Sequence, residues 1–223
     1  MAVVLKGETA EEFLNSTESA VKHLFHAIES YKCLFRKGIL KGPFGSIGPN
    51  NSESEEIITR WRYENAGLIA EAIAAQRSYS SERFALAMIC GALLQIADKA
   101  LKMHSKNTIV SVDWNDCVGA KYARYCVGRQ IRSVPIGLIV YAARNQATHF
   151  EEPMLREPSA EVFNRLARNH GVQGYDDVKD PSFDLGQHKN ESLAAGIVSL
   201  LEWSSYDSYL LDMQEMLSAE VTV

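Results

Sequence analysis

The sequence predicts an all-α protein, a helical bundle of about six to seven helices. Three observations lead there. Apolar residues recur at helical spacing over long runs. Runs of alternating Val, Ile and Thr are nearly absent. The six prolines sit mostly between the apolar-periodic segments and so punctuate them. At 223 residues, 46% hydrophobic and 23% charged, the chain has enough apolar surface for a real core and lacks the composition of a disordered one. The expectation is one domain over residues 1–223, with a core bundle of about 9–152 and C-terminal helices of about 159–218 appended to it.

The elements follow in order. Thr9-x-x-Glu12 has the form of a capping box. Behind it Phe13, Ala20, Val21, Leu24, Ile28, Tyr31 and Phe35 share a helical face, which predicts a first helix over about 9–40. The run KGPFGSIGPN stops it. Ser52-x-x-Glu55 repeats the capping pattern, and Ile57, Ile58, Trp61, Leu68, Ile69, Ala72 and Ile73 make an apolar stripe. The polar run Ser78 to Ser81 is expected to end that helix and cap the next. From Phe84 to Leu101 the residues are apolar on nearly every side, the pattern of a central helix. A further helix is expected over 117–127. Val134-Pro135 is expected to open another that runs towards His149, with Pro153 closing it. Two C-terminal helices complete the reading, one from Ser159 to Gly171 and one over about 191–217, joined by a polar linker.

Several functions are excluded by what the sequence lacks. It contains no G-x4-G-K-[ST], no G-x-S-x-G and no Glu-x-x-His. The glycine-rich GPFGSIG has neither the lysine nor the preceding strand of a phosphate loop, and reads as a connector. The cysteines Cys33, Cys90, Cys117 and Cys126 include no C-x2-C pair, so a reduced chain is the simplest account. No secretion signal and no run of about 18 uncharged apolar residues is evident, so the expected location is the cytoplasm, with no membrane span.

Net charge is -5, but it is unevenly spread. From Cys117 to Phe150 there is no Asp or Glu, while Lys121, Arg124, Arg129, Arg132 and Arg144 give that stretch +5, leaving -10 for the rest. Such segregation suggests one basic surface on an acidic body.

Inside this stretch, at the polar end of an apolar helix, stands Arg144-Asn145-Gln146-Ala147-Thr148-His149. An arginine holds a phosphate through a rigid, permanently charged fork. A histidine can move a proton near neutral pH. Together they suit RNA cleavage without a metal, in which the 2′-hydroxyl attacks the adjacent phosphate and leaves a cyclic phosphate and a 5′-hydroxyl. Residues five apart differ by roughly 140° around a helix, so Arg144 and His149 do not stack, whereas Asn145 and His149, four apart, do. The chemistry wants two proton-transfer groups and the motif supplies one histidine. A two-fold dimer would bring two motifs together.

Arg-x4-His with a polar residue directly after the arginine resembles the signature of the HEPN superfamily (higher eukaryotes and prokaryotes nucleotide-binding). The resemblance covers some 20 residues and the helical pattern. It implies a helical bundle, commonly a homodimer, and in many members a metal-independent ribonuclease of toxin–antitoxin, abortive-infection or CRISPR-associated systems. By position it implies Arg144, Asn145 and His149 as the active-site residues, with no cofactor and no metal. Expected partners are RNA, held in part by Arg124, Arg129 and Arg132, a second copy of the chain, and an antitoxin protein. A second match, Arg165 to His170, carries Leu166 where the family prefers a polar residue, and reads as incidental. Glu151 and Glu152 follow the histidine at once and would either repel an RNA backbone or orient the imidazole.

Two competing readings stand beside this one. The chain is a non-catalytic HEPN-like module that binds a nucleotide or a protein partner, or it is an unrelated bundle with a metal on His23 and His26, with Glu29 a turn further on.

Overall fold

A computed structural model describes residues 8–38, 52–152, 154–168, 170 and 178–218. The protein is all-α. Its helices are α1 (Ala10–Gly38), α2 (Ser52–Glu64), α3 (Ala66–His104), α4 (Ile136–Thr148), α5 (Ser159–Arg168), α6 (Ala194–Leu200) and α7 (Tyr206–Ser218). A two-stranded antiparallel ribbon, β1 (Gln130–Ile131) and β2 (Val134–Pro135), precedes α4. The chain divides into two compact units, one formed by Met1–His26 with Leu86–Val223 and the other by Ala27–Ala85.

The capping box forms as read. Thr9 N–H donates to Glu12 Oε2 at 2.7 Å, and Glu12 N–H donates to Thr9 Oγ1 at 3.1 Å. The break expected at Ser78 to Ser81 does not occur, because α3 runs through it. Serine costs a helix only tenths of a kcal/mol, and neither glycine nor proline stands there to enforce a stop. The interruption lies instead at Asn65, between α2 and α3, where the side-chain amide joins the backbone N–H on the Trp61 carbonyl. GPFGSIG, Pro153 and Gly171 lie outside the described residues.

In the smaller unit the expected apolar stripe is largely open: Ile57, Leu68 and Ile73 are exposed, and Ala72 is buried. The core of the larger unit is built around α4, whose Ile136, Leu138, Ile139, Val140 and Ala142 have no accessible surface. Leu93, Leu94, Ala97, Ala100 and Leu101 of α3 are equally enclosed. The segment Glu82–His104 is long and apolar enough to cross a membrane, but these five side chains are buried in protein as those of a core helix are.

Three other elements differ from expectation. Residues 120–125 form a 3-10 helix rather than an α-helix. Val134 and Pro135 belong to β2, and α4 starts after them. The last helix is split into α6 and α7 at Glu202, which takes a φ of 58°, and Ser205 restarts the chain by accepting from Ser208 N–H at 3.3 Å. Trp203 is buried at this break, and its indole N–H donates to Asp212 of α7 at 2.8 Å. The C-terminal helices are thus part of the core: α5 and α6 both pack on α4.

Candidate functional site

The site grows out of the end of α4. Its apolar half is held in the core, and its last turn emerges as the polar run Arg144 to Thr148. His149 closes the helix, its N–H donating to the Asn145 carbonyl at 2.9 Å. Tyr141, Asn145 and His149 are spaced by four and so follow one face. All three line one cleft of about 500 Å³, together with Lys121 and Tyr122 of the 3-10 helix and Arg156 and Ser159 beyond. The motif itself contains the second and third members of this row. The same four-residue step taken backwards from Asn145 reaches Tyr141, the signal by which sequence alone could have found it.

His149 is exposed, with 47% of its side chain accessible. Its Nδ1 lies 2.6 Å from Glu152 Oε1, so the carboxylate holds the ring through that nitrogen and leaves Nε2 as the one it does not engage. Of the two outcomes the sequence allowed for these glutamates, Glu152 takes the orienting one.

Arg144 points elsewhere. It stands one residue off the Tyr141–Asn145–His149 row and pairs with Asp98 of α3, Nε and Nη2 each lying 3.1 Å from Oδ2. Nη1 donates to Asn145 Oδ1 at 2.9 Å. Asn145 in turn donates to Ser159 Oγ at 3.1 Å. Arg144 is therefore joined to the cleft through Asn145 and is not among the residues lining it.

The cleft also holds phenols. The rings of Tyr122 and Tyr141 have centroids 5.1 Å apart, and Tyr125 lies 4.7 Å from Tyr141. Burial, and next the hydrogen bond with Tyr122, push the Tyr141 phenol up to about 12. Burial and the nearby Asp98 carboxylate raise Tyr125 as well. Tyr122 moves the other way: hydrogen bonding from Tyr141, then from Lys121, holds its phenol below the ordinary tyrosine value. The Lys121 ammonium lies 4.7 Å from the centroid of the Tyr122 ring. A pair of neighbouring phenols driven in opposite directions divides into one proton donor and one fixed hydrogen-bonding group.

A second cleft, of about 570 Å³, shares His149, Glu152 and Leu155 with the first. Gln146, on the next face of α4, builds its floor. That buried amide donates to the Glu191 carbonyl at 2.7 Å and accepts from Leu193 N–H at 2.8 Å, fastening residues 191–193 to α4.

The expected basic surface is largely neutralised in space. Arg129 reaches Asp212 at 3.0 and 3.1 Å and the Leu201 carbonyl at 2.6 Å. Arg132 pairs with Asp180 at 2.8 Å, donates to the Leu166 carbonyl and lies over the Phe183 ring. Arg124 donates to the Lys102 carbonyl at 2.6 Å. The carboxylates missing from residues 117–150 are thus brought in by other segments, and the cations on the cleft wall are Lys121 and Arg156. The second motif is structural: Arg165 pairs with Glu161 at 2.8 Å and stacks over Trp114 at 3.9 Å, while His170 Nε2 lies 2.7 Å from the Val178 carbonyl. Among the described residues no group of three His, Cys, Asp or Glu is placed to hold a metal ion. His23 Nδ1 lies 2.6 Å from the Ser19 carbonyl of its own helix, and Glu29 pairs with Arg36.

No protein-family model, no curated protein and no solved structure matches this chain.

Proposed function

We propose that the chain is a metal-independent endoribonuclease of HEPN type, with His149 as the group that takes the 2′-hydroxyl proton. The observation that carries this reading is the placement of His149, Asn145 and Tyr122 on the wall of one polar cleft, the imidazole steadied by Glu152 at 2.6 Å. In the proposed step Nε2 of His149 accepts the 2′-O–H proton as the O2′–P bond forms. The P–O5′ bond breaks, and the leaving oxygen takes a proton from the Tyr122 phenol. Lys121 stabilises the phenolate, and water returns the proton from the imidazole to it. Asn145 and Arg156 orient the phosphate. Arg144 acts behind them by fixing Asn145. Tyr122 supplies the second proton-transfer group within one chain, so the chemistry does not depend on the motif of a second copy, although a homodimer and an antitoxin partner remain part of the proposal.

The test is cleavage of RNA in EDTA by the purified protein and by its His149→Ala variant, with analysis of the ends. Cleavage by the wild type alone, leaving a 2′,3′-cyclic phosphate and a 5′-hydroxyl, is the expected result. Silence from both proteins would favour a second reading, a non-catalytic module that binds a nucleotide or protein. The pairing of Arg144 with Asp98, which cancels its charge, is the observation on that side.

A further inference from the structure

The second cleft has a different character from the first. Phe150, Met154, Leu155 and Leu185 give it an apolar wall, and Lys189 and Asn190 stand at its rim. His188 is fixed in that wall by two contacts, Nδ1 at 3.3 Å from Glu191 Oε2 and Nε2 at 2.7 Å from the Pro181 carbonyl. Its ring nitrogens are thereby engaged by protein, and its flat face is what remains for a ligand. The volume of about 570 Å³ falls within the roughly 300–1,000 Å³ of small-ligand sites. His149 belongs to both clefts, so a group seated here lies next to the proton-transfer centre.

A nucleotide has this same division, a charged phosphate joined to a flat base whose faces stack on apolar surface and whose edges carry a few polar groups. The first cleft offers Lys121, Arg156 and hydroxyl donors to the former; the second offers apolar surface and a few polar groups to the latter. We infer that the second cleft seats the nucleobase adjoining the scissile phosphate, so that the substrate is an RNA nucleotide unstacked from its neighbours. For its substrate this inference rests on the ribonuclease reading above. A base can enter such a pocket only when it leaves the stack, which single strands and loops allow at little cost and duplexes resist.

The experiment uses a short DNA oligonucleotide carrying one ribonucleotide, so that one bond can be cut, and its twin in which that ribose lacks a base. The intact oligonucleotide is expected to be cut at least about tenfold faster, the scale of one base stacked on protein. Met154→Asp, at an exposed position that does not endanger folding, should lower the rate on the intact oligonucleotide by a similar factor and leave the twin unchanged. Ala160→Trp, which fills the cleft from α5, should do the same. Equal rates on the two oligonucleotides would overturn the base seat while leaving the ribonuclease reading in place. If neither is cut, the ribonuclease reading fails, and the seat is judged by binding. A nucleoside 3′-monophosphate should then shift the methyl resonance of Met154 to saturation where ribose phosphate does not. No shift with either would overturn the seat as well.

Discussion

The Asp98 side chain is 2% exposed and meets the 24%-exposed side chain of Arg144, its Oδ2 lying 3.1 Å from both Nε and Nη2. Oδ1 has no hydrogen-bond partner among the described residues. A carboxylate this far from water is tolerated because the guanidinium is beside it. Arg144→Ala is therefore expected to destabilise the protein by about 3 kcal/mol, since it strands a buried charge. Removing both charges together, as Asp98→Leu with Arg144→Met, should recover most of that loss. Urea denaturation of the three proteins checks it, and a wild-type midpoint for Arg144→Ala would show that the pair has no structural role. A loss of cleavage in Arg144→Ala is to be read together with its stability, since the same guanidinium fixes Asn145.

His149 and Glu152 make the opposite case, a pair exposed on both sides. Exposed pairs contribute little to stability, about 0–1 kcal/mol. Their effect on an oriented imidazole is larger, on the order of tenfold or more in activity when such an orienting partner is lost. Glu152→Ala is expected to keep the wild-type unfolding midpoint and to lower kcat for RNA cleavage by about tenfold with little change in KM. An unchanged kcat would mean that the carboxylate does not position the ring.

The contrast between these two pairs shows what the sequence carried and what it did not. Helical periodicity located α1, α4 and α5 closely, because an amphipathic face is written in the order of residues. The Thr9–Glu12 cap was readable for the same reason, since its two partners are three positions apart. Asn145 and His149 were legible as a row, being separated by one turn. Asp98 lies 46 positions before Arg144, Asp212 lies 83 after Arg129, and Asp180 lies 48 after Arg132. No local pattern announces such partners, so a stretch free of acids read as a basic surface although Arg129, Arg132 and Arg144 are matched by carboxylates in three dimensions. The split of the last helix was hidden likewise. Trp203 ends a run of helix formers, and its burial beside Asp212, a tertiary event, decides the chain direction there.

That matching separates two kinds of cation. Arg129 holds Asp212, a 7%-exposed carboxylate that also receives the Trp203 indole N–H. Lys121 is exposed on the cleft wall. Lys121→Ala is expected to weaken RNA binding and reduce the slope of log K against log salt by about 1, with stability unchanged. Arg129→Ala should lower stability by about 1–3 kcal/mol, through the partners it leaves behind, without altering that slope. RNA-binding titrations over a range of salt, with denaturation in parallel, distinguish them. A reduced slope for Arg129→Ala would return it to the RNA-binding set.

Gly137 opens α4 and supports the cleft from behind. Its N–H donates to the Val127 carbonyl at 3.2 Å. A Cβ placed there would lie 2.5 Å from the Tyr125 carbonyl oxygen, 3.2 Å from its carbon and 3.0 Å from Val127 Cγ2. The first two are backbone atoms, which cannot swing aside as a flexible side chain would. Tyr125 ends the 3-10 helix that also carries Lys121 and Tyr122, so relief of the clash moves either that wall of the cleft or the start of α4. Gly137→Ala is expected to destabilise the protein by about 2–3 kcal/mol, the upper range for overpacking a filled core. Gly196 of α6 provides the control, for it too lies in a helix, but a methyl group added there would meet nothing within 4 Å. At that position the better helix propensity of alanine should prevail, and Gly196→Ala should stabilise by about 0.5–1 kcal/mol. Denaturation midpoints of the two variants should therefore move in opposite directions. A neutral Gly137→Ala would mean that the start of α4 yields to the methyl group, and that the 3-10 helix is not held against it.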